Sequence, residues 1–508
     1  MSAEQLNKKT VVKNTVLLYI RMFFLMIIGF ITTRVVLRSL GEVDYGLNNA
    51  VAGFVLLFGV FSGSLNAAIS RFITYELGRG DQETLNKVFS TSVYIQVIMA
   101  FIVAILVETI GIWFLKNHMT IPPDRLLASQ WVLHFAVINT FISLTFVPYS
   151  AAIISHEKMG VYAYVSILEG GLNLLIAYLI SLDIWGDGLI FYSAALCLSG
   201  LVVNLIYRVY CTKKFEECRL RSIFDTSLLK RMGEFAGWNM FGAVSGILNV
   251  QGINILFNMF FGPIVNAARG ISNQASGFAT KFSNGFMTAL NPQITKAYAS
   301  GDYKYMFSLV DQGTRMAFFL FYLIALPIFI ETDTLLSLWL VNYPEHTVAF
   351  VRIALLVLLM DGILANPLIT VMLATGNIRN YQIVVGGLQL LEFPLAYIML
   401  KLGSSPELVL LMVFTISCIS MFVRIVMLHR MINFPVKEYL TNVIFKIVRV
   451  IVLSIPIPLI ACQFLSKNTW SDLSICAIAE VCAIISIWFL GINKSEQLIL
   501  LKKLHIKS

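Results

Sequence analysis

The sequence predicts an all-α polytopic membrane protein of about fourteen transmembrane helices, set out as two matched six-helix bundles followed by two further helices. Three observations predict this. Hydrophobic residues make up 58% of the 508-residue chain and charged residues only 13%, with mean hydropathy +0.80, whereas soluble domains carry roughly 25% charged residues. Apolar stretches of about 20 residues, each able to cross a bilayer as a helix, recur along the whole length. Residues 41–81 also reappear without a gap 221 positions later, with Gly41, Phe61, Ser62, Ala68, Ile73, Thr74, Gly80 and Asp81 falling on Gly262, Phe282, Ser283, Ala289, Ile294, Thr295, Gly301 and Asp302. A second block, shifted by 219, sets Pro148, Tyr162, Val165, Leu172, Ala177 and Tyr178 on Pro367, Tyr381, Val384, Leu391, Ala396 and Tyr397. A same-direction repeat of this length in a membrane protein predicts two like bundles with a substrate path between them.

The helices are expected to start near Thr15, Leu47, Val88, Ala128, Val161, Leu189, Gly237, Ala267, Phe307, Val348, Tyr381, Glu407, Ile447 and Ser474. The first is too long, and lacks the small-residue cleavage site, for a removable signal peptide, so it reads as an uncleaved anchor. The second and eighth are rich in polar and small residues. The thirteenth carries Pro456 and Pro458, which predict a bend. The longest connection, about Thr212 to Ala236, falls where the repeat requires a junction, so an N-terminal lobe is expected over 1–225 and a C-terminal lobe over 226–432. Residues 433–508, after Phe434-Pro435, lie outside the repeat and are expected to hold helices thirteen and fourteen and a cytoplasmic tail.

Charge sets the orientation. With the N-terminus inside, 22 basic residues fall in cytoplasmic segments, among them Lys8, Lys9, Lys13, Lys213, Lys214, Arg379 and Arg430; only Arg38, Lys116, Arg125, Lys401 and Lys467 fall outside. Basic residues are retained on the cytoplasmic side, which predicts that both termini are cytoplasmic. Trp113, Trp131, Trp185, Trp339 and Trp470 sit at or beside the proposed outer loops, where amphipathic rings suit the interface. The net charge of +9 is thus a matter of topology, and nucleic acid is not an expected partner. The seven cysteines show no CxxC and no paired spacing, which predicts unpaired thiols. No phosphate loop, HExxH or GxSxG is present, and no large outer loop of the kind a membrane polymerase or ligase would need; the chain reads as a non-enzyme.

A lysine-bearing N-terminal arm leads into a long first helix ending in Arg34-Val-Val-Leu-Arg38-Ser-Leu-Gly41-Glu-Val-Asp-Tyr45-Gly46. A small-residue-rich second helix follows, then Arg71 through Gly80-Asp81. With the six plus six plus two helix count, this resembles the polysaccharide-exporting, Wzx-type (O-antigen or capsule) members of the multidrug/oligosaccharidyl-lipid/polysaccharide (MOP, MATE-like) flippase superfamily. The resemblance implies a V-shaped pair of bundles in the bacterial cytoplasmic (inner) membrane that flips a polyprenyl-pyrophosphate-linked oligosaccharide to the outer leaflet by alternating access, for cell-surface polysaccharide biosynthesis. The partners it implies are the bilayer, the lipid-linked glycan and polysaccharide polymerase or assembly proteins; no cofactor is implied beyond a coupling Na⁺ or H⁺. A MATE-type ion-coupled multidrug exporter and a lipid II flippase are the alternatives, and cargo separates them. The implied cavity lies along helices one, two, seven and eight.

The residues bear on that implication. On the eighth predicted helix Arg269, Ser272, Asn273, Ser276, Thr280, Ser283, Asn284 and Asn291 fall on one face at 100° per residue. The second shows Asn48, Gly59, Ser62, Gly63, Asn66 and Ser70, and the seventh Asn239, Gln251, Asn254 and Asn258. Such stripes serve either as a hydrated path for sugars or as glue between helices. Embedded cations would compensate a buried pyrophosphate, and Arg21, Lys281 and Arg269 are the candidates, although Lys281 points about 100° off the stripe. Embedded acids could bind Na⁺ or a proton: Asp361, Glu392 beside Pro394, and Glu169 before Gly170-Gly171. Each could equally be a structural ion pair. Asp311 and Arg315, four apart, are expected to form one. Glu108, Glu480 and His134 read as packing groups.

Overall fold

The computed structural model describes residues 3–58, 69, 72–73, 76–77, 81–156, 158–182, 184, 186–221, 225–226, 228, 247–340, 342–375, 379–465, 468–494 and 496–497, with side chains for all of these except 3–21, 159, 249, 282–285, 288–289, 292, 296 and 299. Among the described residues all regular structure is helical. In chain order come α1 (Ala3–Leu56), α2 (Gln82–Asn117), α3 (Leu126–Ser155), α4 (Met159–Ile180), α5 (Gly188–Lys214), α6 (Ile253–Phe261), α7 (Pro263–Ala299), α8 (Tyr303–Ile330) and α9 (Thr332–Leu340). They are followed by α10 (Thr347–Leu358), α11 (Ala365–Ala374), α12 (Gly387–Lys401), α13 (Pro406–Ile432), α14 (Phe445–Ser454), α15 (Pro456–Phe464) and α16 (Thr469–Ser486).

Eleven helices among the described residues are long and apolar enough to cross a membrane. They correspond to the first, third to sixth and ninth to fourteenth predicted spans. The second predicted span is described only in part, its start as the end of α1; the seventh is represented by the shorter apolar helix Val250–Phe261. The eighth is α7, helical throughout but interrupted along its length by Asn, Gln, Ser and Thr. Large apolar side chains point outward, with Phe464 84% and Phe489 72% exposed. Surfaces of this kind belong in lipid rather than water, and the chain is a multi-pass membrane protein.

The chain divides into two compact units, Met1–Gly270 and Ile271–Ser508. In the first, α3 packs on α2 and α5, and α4 packs on α1. Among the described residues two apolar clusters lie in it. One gathers Phe89, Tyr149, Ile153, Val203 and Tyr207; the other gathers Leu47, Val51, Phe54, Val107 and Leu133. In the second unit α8 packs on α16, while α10 and α12 pack on α13.

The internal repeat is visible in the backbone. Gly41 breaks α1 at φ 77, ψ 173, and its repeat partner Gly262 separates α6 from α7 at φ 82, ψ −172. Both lie in a region of φ/ψ space that is essentially reserved for glycine. Asp81 caps α2 by accepting from Thr84 N at 3.0 Å, and its partner Asp302 caps α8 by accepting from Tyr305 N at 3.0 Å. Each cap satisfies an amide that the first helical turn leaves without a partner.

Pro456 produces the predicted interruption: α14 ends at Ser454 and α15 begins at Pro456. The expected Asp311–Arg315 pair is corrected. Arg315 Nη2 donates instead to Glu496 Oε1 at 2.6 Å and Nη1 to the Asn442 carbonyl at 3.1 Å, while Asp311 accepts from Asn442 at 3.4 Å. Arg315 is almost fully buried. A buried guanidinium takes the partner that satisfies most of its donors, and a carboxylate brought in from the chain's end outcompetes one on the same helix face.

Candidate functional site

Polar side chains collect where the end of α1 meets α6 and the start of α7, all within the first unit. A Cβ placed on Gly46 would lie 1.8 Å from the Pro263 carbonyl oxygen, so only glycine permits this approach of backbones. At Gly53 a Cβ would lie 2.8 Å from Gln251 Oε1 and 3.9 Å from Asn254 Nδ2; at Gly270 it would lie 2.9 Å from Asn49 Nδ2. Asn254 donates to Gln251 Oε1 at 3.1 Å, and its carbonyl accepts from Asn266 Nδ2 at 2.7 Å. Asn258, fully buried, accepts from Thr120 N at 3.0 Å and so ties α6 to the loop after α2. Asn48 and Arg269 are half-buried.

In the second unit α7 continues the stripe. Asn273 is exposed. Ser276 is buried and donates its hydroxyl back to the Ser272 carbonyl at 2.7 Å, which occupies its one donor and leaves its oxygen as an acceptor. Lys281 is half-buried, its Nζ 5.2 Å from the centroid of the Phe278 ring, a cation–π arrangement. Asn291 donates to Asn366 Oδ1 at 3.3 Å, linking α7 to α11. The side chains of Arg21 and Asn284, and Asn66 as a whole, lie outside the described residues.

The three acids occupy different settings. Glu169 is on an exposed face of α4. Glu392 is fully buried in α12. Asp361 sits in a wide, π-helical turn, Leu359–Leu364, between α10 and α11. Arg424 Nη1 of α13 approaches its Oδ1 at 3.0 Å, and Ser417 Oγ donates to its Oδ2. Arg424 and Ser417 escaped the sequence reading. A lone arginine within the twelfth apolar span was itself the signal, because a charge held there requires a counter-charge.

A second charged cluster lies in the first unit near the predicted outer ends of its helices. Arg125 Nε donates to Asp44 Oδ1 at 2.8 Å and Nη1 to Asp187 Oδ2 at 2.8 Å, at the edge of a cavity of about 390 Å³. Asp187 also caps α5 through the Leu189 and Ile190 amides. Burial alone would raise the Asp187 carboxyl, but Arg125 and those amides hold it below its ordinary value. His134 and Glu108, both read from sequence as packing groups, are bonded to each other. The seven cysteines are free thiols.

Solved structures of membrane transporters share the fold of this chain. It is similar to the lipid II flippase MurJ in its inward closed conformation, with TM-score 0.69 and 13% identity over 97% of this chain and 100% of that one. It is also similar to the MATE multidrug transporter DinF-BH (TM-score 0.60, 17% identity, 83% of this chain and 95% of that one). MATE in the straight conformation gives TM-score 0.57 with 14% identity over 85% of this chain and 97% of that one. No curated protein matches the sequence. Residues 11–301 match the family model described as polysaccharide biosynthesis protein, and the chain belongs to that family. The chain thus joins membership of a polysaccharide-biosynthesis family to a fold shared with membrane flippases and multidrug transporters.

Proposed function

We propose that this protein flips a polyprenyl-pyrophosphate-linked oligosaccharide from the cytoplasmic to the outer leaflet of the bacterial cytoplasmic membrane, by alternating access between two lobes, to supply cell-surface polysaccharide. The reading rests on family membership together with one observation: α7 carries a polar face, with Asn273 exposed and the cation Lys281 half-buried, on a helix interrupted along its length by polar residues. A cation held at membrane depth needs an anion or water, and a pyrophosphate headgroup provides the anion while its glycan provides hydrogen-bond partners for asparagines such as Asn48, Asn254 and Asn273. Both termini are cytoplasmic on the charge bias of the loops. Glu392 is the embedded carboxylate best suited to a coupling Na⁺ or H⁺, being fully buried two residues before a proline that leaves a backbone carbonyl without its helical donor.

A second reading, transport of lipid II, is favoured by the length of the MurJ overlay; it differs in the sugar and shares the pyrophosphate. The deciding experiment reconstitutes the protein in liposomes carrying a lipid-linked oligosaccharide or lipid II and measures leaflet transfer of each. Transfer of the oligosaccharide is expected; ion-coupled dye efflux without glycan transfer would make the protein a drug exporter. Arg21→Ala, Arg269→Ala and Lys281→Ala are each expected to slow oligosaccharide transfer about 10-fold or more, as loss of one charge-assisted contact of about 1.5 kcal/mol requires. Unchanged transfer in all three well-expressed variants would rule out the cationic path.

A further inference from the structure

Asp361 is placed as a coupling carboxylate should be, yet it already holds a cation. We infer that Arg424 is a tethered substitute for a coupling ion, and that Asp361, Ser417 and Ser420 form a latent monovalent-cation site closed by this guanidinium. The inference rests on the transporter reading above.

Both carboxylate oxygens of Asp361 are engaged, Oδ1 by Arg424 at 3.0 Å and Oδ2 by the Ser417 hydroxyl. The two donors are seven residues apart on α13 and therefore share a face two turns apart, so one helix brackets the carboxylate from both ends. The cation is sealed while its partner is accessible: the Arg424 side chain is 2% exposed and that of Asp361 25%. A guanidinium buried to that extent cannot swing into solvent when a small ion arrives, and because it is covalently attached, its presence at Asp361 does not depend on the concentration of any ion in solution. Ser420, on the same face between the two donors, is fully buried, and its Oγ has no hydrogen-bond partner among the described residues. Its oxygen would complete a hard, oxygen-only ligand set once the guanidinium left, the donor type that alkali and other hard cations take.

The wide turn Leu359–Leu364 explains how Asp361 reaches α13. One extra residue in the turn displaces the side chain from an α-helical register, a device frequent at functional positions. The same turn adjoins the polar helix: a Cβ on Gly362 would lie 4.0 Å from Thr280 Cγ2 of α7, and Asn366, just beyond the turn, accepts from Asn291 of α7. A change of occupant at Asp361 would therefore be felt by the helix whose polar stripe faces the proposed cargo. In the wild type that occupant is permanent, so sodium does not act through Asp361.

The test is the melting temperature of purified protein in sodium chloride and in choline chloride of equal ionic strength. Arg424→Ala, or Arg424→Met where a closer fill of the volume is needed for folding, is expected to gain about 3 °C of sodium-specific stabilisation over the wild type. That gain is expected to disappear when Asp361→Asn is added. Absence of the gain in both variants, or its persistence with Asp361→Asn, overturns the inference. In the unsubstituted protein, carbodiimide labelling of Asp361 read by mass spectrometry is expected to be the same in both salts; protection by sodium would show an open site and also overturn it. Neither readout needs cargo, so a failure of leaflet transfer would count against the flippase reading and leave this one to be decided by sodium alone.

Discussion

Arg125 does at the predicted outer ends of the first unit's helices what Arg424 does inside the second: it supplies the charge that two distant segments need in order to meet. Its guanidinium donates to Asp44 on α1 and to Asp187 at the start of α5, and the flat fork of donors lets one side chain serve two carboxylates. Water reaches this cluster, so Arg125→Ala is expected to destabilise by about 1 kcal/mol, the upper range for solvent-touching pairs. The Asp187 carboxyl lies below its ordinary value of 3.8. A group whose value is lowered by folding contributes stability that is fully present above its unfolded value and is lost as pH falls through the folded one. The wild type should therefore lose stability on acidification from about pH 4 downward, and Asp187→Asn should be flatter over that interval, with melting temperature against pH as the measurement. None of these partnerships could be read from spacing. Asp44, Arg125 and Asp187 are separated by whole helices, and Asp311 with Arg315, the one pair that spacing did suggest, gave way to Glu496.

At the scale of elements the repeat is a repeat of backbone breaks and caps as much as of side chains. Gly41 and Gly262 adopt nearly the same positive-φ conformation, so Gly41→Ala and Gly262→Ala should each cost about 1–3 kcal/mol, and by similar amounts. Guanidinium or thermal unfolding of the two variants in detergent checks this; a large penalty at only one of them would mean that the matched geometry is not matched in energy. Eleven spans were legible because an apolar window is a local property, and Pro456 announced the break before α15 for the same reason. The wide turns, such as Leu359–Leu364, were not legible, since nothing in the local sequence demands an extra residue per turn. The placement of Asp361 against Arg424 came with them.

The molecule as a whole is ordered by the bilayer, which demands that every spanning backbone satisfy its own hydrogen bonds and favours basic loop residues on the cytoplasmic side. The topology this predicts is open to a direct test. In a cysteine-free background, Glu345→Cys should react with a membrane-impermeant maleimide in intact cells, and Ser300→Cys only after permeabilisation; both positions are exposed. The opposite pattern would invert the orientation and with it the direction of transport. The all-helical class, most of the spans, the two-fold repeat and the polar character of α7 are all written in the order of residues, because hydropathy and periodicity act within a single helix or recur in register along the chain. Which charges meet is a property of the packed chain: Arg424 with Asp361 at a separation of 63 residues, Arg125 with Asp44 at 81, and Arg315 with Glu496 at 181. An embedded charge announces in sequence that it needs a partner, but which of several carboxylates answers depends on how distant helices pack, and that is settled in three dimensions.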